Sequence, residues 1–163
     1  MMFCWKNNFS MDPLKRLKDN GRLETLRIER AQVAKLVKGA YEDLKEARIT
    51  FPVSDRAAYL FAYTAMLKIG RAFLFLMGYR PKGLGQHATV IEAADLLLGK
   101  GFSSLTDQFD RMRKKRNLLM YDVGVLISHS ETEEAFKTAE RYLDKVREFM
   151  EKQDPQLKFD FPS

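Results

Sequence analysis

Residues 55–77 read DRAAYLFAYTAMLKIGRAFLFLM. Apolar side chains recur at 58, 61, 62, 65, 69, 72, 73 and 76, the three-and-four spacing of a helix face. Tyr59, Tyr63 and Met66 carry the same character onto the other faces. A helix that is apolar nearly all round has to be covered on more than one side. It is therefore either the central helix of a bundle or part of a subunit interface. Lys68 and Arg71 interrupt the run and argue against a membrane span. The ends are marked too: Phe51-Pro52 stops the preceding helix, Ser54 offers an N-cap, and Gly78 a C-cap.

Upstream, Leu26, Val33, Val37, Ala40, Leu44 and Ala47 predict an amphipathic helix over 22–49. Residues 1–21 form an N-terminal extension with room for a short helix. Downstream, 78–85 is a loop by composition, and a shorter helix over 87–98 carries Val90, Ile91, Ala94, Leu97 and Leu98. A fourth long pattern over 104–123 presents Leu105, Phe109, Met112, Leu119 and Val123 on one face, with position 116 on that same face. The last helix opens at Ser130, whose spacing to Glu133 is that of a capping box, and continues through Phe136, Ala139, Leu143, Val146 and Met150. Pro155 breaks it, leaving a tail over 154–163 whose Phe159 and Phe161 are placed to pack back. No alternating strand pattern is present. The expected fold is all-α, an up-and-down bundle of four to five helices over 22–153.

With 163 residues and 45% hydrophobic content, the chain can bury one substantial core but has little room for two. The net charge of +6 is unevenly spread. Residues 111–116 (RMRKKR) hold five cations and no acid, whereas 122–163 hold six cations against ten acids. The lone cysteine, Cys4, can form neither an intrachain disulfide nor a Cys-rich zinc site, which suits a reducing cytosol. The opening MMFCWKNNFS lacks the apolar run of a signal peptide. Met11 precedes a helix-starting Asp12-Pro13 pair, so the first eleven residues are either an alternative start or a frayed end. The expected location is the cytoplasm.

Signatures of the common enzyme classes are missing: no Walker A loop, GxGxxG, HExxH, GxSxG or Cys/His metal spacing. No metal or cofactor is expected. His87 and His129 stand far apart in sequence and would share a site only if the fold joined them. What remains is Arg116, seven residues after Phe109 and three before Leu119, a guanidinium on an apolar stripe. Arginine cannot shed its charge. It needs a carboxylate such as Asp95 or Asp122, backbone carbonyls, water in a cleft, or a ligand phosphate. Asn117 and Tyr121, an i,i+4 pair, add an amide and a phenol to the same helix end. Arg111, Arg113, Lys114 and Lys115 are either a solvated face or an electrostatic track leading to Arg116.

The run Arg116-Asn117-Leu118-Leu119-Met120-Tyr121 resembles the arginine motif in a late helix of the HEPN superfamily. The segment AAYLFAYTAMLKIGRAFLFLMGYRPKGLGQHATVIEAA is similar to that family's second helix, its loop, and the histidine that often opens the next helix, here His87. The resemblance implies an up-and-down bundle that forms a homodimer and brings two arginine motifs to a shared cleft. It implies metal-independent RNA cleavage, nucleotide binding, or service as the non-catalytic partner of a nucleotidyltransferase-type protein. Carried over, Arg116 would hold a phosphate and Asn117 orient it; Tyr121, His87 and, from the neighbouring charge run, Arg113 and Lys114 are the further candidate ligand-binding residues. Tyr121 stands where the family's catalytic histidine would be, and a phenol is a poor general base at neutral pH. If there is catalysis, Arg116 and Tyr121 would carry it. Three functions follow: a binding module for nucleotide or RNA phosphate, non-catalytic or weakly catalytic; a toxin-like ribonuclease; or a structural, antitoxin-like partner whose Arg116 is an ion-pair residue.

Overall fold

The computed structural model describes residues 12–157 and residue 159; Cys4, Met11 and Phe161 lie outside the described residues. The chain runs through α1 (Lys15–Asp19), β1 (Leu23–Thr25), α2 (Arg30–Thr50), α3 (Asp55–Leu76), β2 (Tyr79–Pro81), α4 (Gln86–Leu98), α5 (Ser103–Tyr121) and α6 (His129–Gln153). A 3-10 turn, Lys100–Phe102, joins α4 to α5.

The all-round apolar helix is the centre of the bundle. α3 touches α2, α4, α5, α6 and β2, and thirteen of its 22 residues are buried. Length and composition alone would let it cross a membrane, yet 67% of its most apolar stretch is buried within the protein, as in the core helix of a soluble domain. Its start is fixed by Ser54, whose hydroxyl accepts the Ala57 N–H. Phe73 and Phe109 lie fully inside, and each such aromatic contributes about 1.5–3 kcal/mol by leaving water.

Three boundaries differ from expectation. Residues 22–29 are not the first turns of α2. Leu23–Thr25 pairs antiparallel with Tyr79–Pro81, in the register Leu23↔Pro81, and the Leu26 N–H donates to the Gly78 carbonyl at 2.8 Å. Leu26 stands seven residues before Val33, which is helical spacing, and a three-residue strand is too short to show alternation. α5 stops at Tyr121, because Asp122 turns extended, so Val123 is fully exposed rather than core. The capping box of α6 uses Ser128 and Glu131, two residues ahead of the expected pair: Ser128 Oγ accepts from the Glu131 N–H, and the Ser128 N–H donates to the Glu131 carboxylate.

The segment before β1 packs onto the bundle through Leu14 and Leu17, both 1% exposed. At the other end Phe159 packs against the same core.

Candidate functional site

α5 lays Phe109, Met112 and Leu119 into the core, which carries Arg116 toward α3. Its guanidinium stands 6.0 Å from the centre of the Tyr63 ring, and Nη1 donates to Asn117 Oδ1 at 3.2 Å. Asp95 accepts from Thr106 at 2.5 Å instead. Among the described residues no carboxylate pairs with Arg116, so neither Asp95 nor Asp122 supplies the internal ion pair.

Tyr63 is the floor of this site. Its ring meets Phe109 edge-on at 5.7 Å, and its hydroxyl lies 2.9 Å from Nδ1 of His87, the second residue of α4. Burial pushes the phenol up to about 12, with Arg116, Arg113 and Arg71 pulling the other way. Burial likewise pushes the His87 imidazole below its ordinary value, helped by Arg71, Arg116 and Arg113. His87 is thus uncharged at neutral pH. Tyr63 is 1% exposed and its hydroxyl has no other partner among the described residues. A buried O–H needs an acceptor, so the phenol donates to Nδ1 and the imidazole proton is assigned to Nε2.

Two of these residues, Tyr63 and Arg71, were not singled out as site residues by sequence. In the sequence Arg71 stands out only as an interruption of an apolar helix. It stands eight residues after Tyr63, close to two turns and so near the same face, and that spacing was a usable signal. Half-buried, it too has no carboxylate partner among the described residues.

The basic run divides as the helix turns. Arg113 and Lys114 both pair with Asp110, at 2.9 and 3.1 Å, and of these two Arg113 alone joins Arg116 in acting on Tyr63 and His87. Lys115 points to the α5–α6 connection, donating to the Leu126 carbonyl at 3.0 Å and pairing with Glu131 at 3.6 Å. Arg56 of α3 donates to the Leu119 carbonyl, satisfying an end group of α5.

Tyr121 is elsewhere. It is 76% exposed at the last position of α5, beside the exposed Leu118, Met120, Val123 and Leu126. Among the described residues no hydrogen bond or ring contact joins it to Asn117, Arg116 or His87. His129 has its own partners, stacking on Phe51 at 4.1 Å and meeting Asp55 through Nδ1 at 2.7 Å. Among the described residues no group of three or more His, Cys, Asp or Glu side chains converges as a metal centre would require.

The charges of Arg116, Arg113 and Arg71 thus all reach the Tyr63–His87 pair, with one carboxylate, Asp110, already engaged by Arg113 and Lys114. Comparison with known families matches residues 33–149 to the HEPN domain. No curated protein and no solved structure matches the chain.

Proposed function

The chain belongs to the HEPN domain family, and from that premise we propose that the Arg116 site, where α3, α4 and α5 meet, binds the phosphate of RNA or a nucleotide, with little or no turnover. One observation carries this reading: Arg116 and Arg71 are half-buried with no carboxylate partner among the described residues. A partly desolvated guanidinium gains most from an anion with several acceptor oxygens. Asn117 holds Arg116 in place, and His87 offers Nε2–H as a further donor.

The protein would act in the cytoplasm as a homodimer. The run of exposed apolar residues around the end of α5, Leu118, Met120, Tyr121, Val123 and Leu126, supports a second copy docking there. Such a copy would bring two Arg116 clefts toward each other and cover the Tyr121 phenol.

A second reading, metal-independent ribonuclease, draws on His87 as an uncharged imidazole beside three arginines. It requires the Nε2 lone pair to take a 2′-hydroxyl proton. The ring would then have to carry its proton on Nδ1, leaving the Tyr63 O–H without an acceptor. That cost favours binding over cleavage.

Purified protein incubated with single-stranded RNA in EDTA, beside Arg116→Ala, separates the two. Binding without cleavage, weakened in the variant, is the expected result. Cleavage lost in Arg116→Ala and in His87→Gln would establish the ribonuclease. If three arginines meet phosphate, log K should fall with log[salt] with a slope of about −2, at roughly 0.7 per contact on a single strand.

A further inference from the structure

A groove of about 790 Å³ runs between α2, α3 and β2, and Lys35, Lys38, Lys68, Arg71 and Arg80 line it. Its one lining acid, Glu42, stands 3.9 Å from Lys38. Lys68 is paired to Asp43 at 2.7 Å and Arg80 to Glu24. Lys35 and Arg71 have no carboxylate partner among the described residues. The wall also offers apolar surface through Phe75 and Leu36.

Helical spacing explains why these groups share one trough. Lys35, Lys38, Gly39 and Glu42 follow the three-four-seven pattern of one α2 face, and Lys68, Arg71 and Phe75 the same pattern on α3. Gly39 keeps the floor low. A Cβ there would lie 3.4 Å from Lys68 Cδ, in ordinary contact with the side chain that lies over this part of α2.

The groove and the proposed phosphate site share Arg71. It lines the groove, and its charge reaches both Tyr63 and His87. Gln86, next to His87, lines the groove as well. From Tyr63 to Phe75 the α3 axis advances about 18 Å. At 3.4 Å per stacked nucleotide that is roughly five nucleotides.

Resting on the phosphate-binding reading above, we propose that this groove takes the nucleotides flanking the phosphate held at Arg116. The ligand is then single-stranded RNA of about five nucleotides or more, not a mononucleotide. The lysines and Arg80 track its backbone, and Phe75 with Leu36 offers a surface on which bases pack, a combination that tolerates sequence.

The test is a ladder of oligo(A), from adenosine monophosphate to about nine nucleotides, titrated by equilibrium binding against the full chain, Lys35→Ala/Lys38→Ala and Arg116→Ala. Both lysines are exposed, so the double variant keeps its fold. The quantity read is the ratio of longest-ligand to mononucleotide affinity. In the unaltered chain it should exceed about tenfold and level off near five nucleotides. In the lysine variant it should collapse toward unity, and the salt slope should shrink by up to about 1.4. Arg116→Ala should weaken every ligand. A ratio near unity in the unaltered chain, or a full ratio kept by the lysine variant, overturns the groove while leaving the Arg116 site standing. No binding at any length overturns both.

Discussion

Replacing Gly70 by alanine should destabilise the bundle, whereas the same change at Gly39 should stabilise it. Both glycines lie inside long helices, where alanine is favoured over glycine by about 1 kcal/mol. They differ in what a methyl group would meet. At Gly39 it would touch Lys68 Cδ at 3.4 Å, part of a flexible side chain. At Gly70 it would lie 2.8 Å from Val90 Cγ1, with Phe109 Cε1 and Tyr142 Oη each at 3.9 Å. Carbon atoms settle at about 3.5–4.0 Å, so α4 would have to retreat by roughly 1 Å. Overpacking of this kind costs about 1–3 kcal/mol. After the gain in propensity, Gly70→Ala should lose about 0–2 kcal/mol while Gly39→Ala gains about 1. At about 2–4 °C per kcal/mol for a chain of this size, the two melting temperatures should differ by about 2–12 °C. Circular dichroism melts read this directly. The retreat of α4 should also stretch the 2.9 Å Tyr63–His87 hydrogen bond, so the imidazole resonances should move in Gly70→Ala and stay put in Gly39→Ala. A Gly70→Ala protein that melts at or above Gly39→Ala with unmoved His87 resonances would refute the close α3–α4 approach on which the site depends.

Ser128→Ala should cost about 1 kcal/mol and lower Tm by a few degrees, while Ser130→Ala leaves it unchanged; equal losses would misplace the α6 cap. The folded chain holds His87 below its ordinary value, so as pH falls through about 6.5 the unfolded chain takes up a proton that the folded one resists, and stability declines. His87→Gln should flatten that part of the Tm-versus-pH curve, and a parallel curve would contradict the assignment. Phosphate beside His87 offsets the three arginines and favours imidazolium, so affinity should rise with falling pH in the unaltered chain but not in His87→Gln.

Much of the fold was legible because it is written in helical periodicity. The α3 pattern demanded cover on several sides, and the structure surrounds that helix with four others. The strand pair was not legible, since Leu26 fits the α2 register and three paired residues show no period of their own. Arg116 stood out because a guanidinium on an apolar stripe is costly wherever it points. Arg71 and Tyr63 did not, because their meaning comes from α4 and α5 folding against them. Tyr121 looked close to Arg116 in sequence, yet it sits at the last turn of α5, turned to solvent. The RMRKKR run looked continuous as text, but at about 100° per residue it radiates around α5, and Asp110 absorbs part of it.

The most direct measurement is paired: RNA affinity and melting temperature of Arg116→Ala, both against the unaltered chain. Removing a charge-assisted contact to phosphate should weaken binding by about tenfold or more. The melting temperature should stay within a few degrees, since Arg116 gives up a cation–π contact at 6.0 Å and a bond to its neighbour Asn117, but no ion pair among the described residues. A large drop in melting temperature with RNA affinity unchanged would make Arg116 a structural residue and contradict the phosphate site.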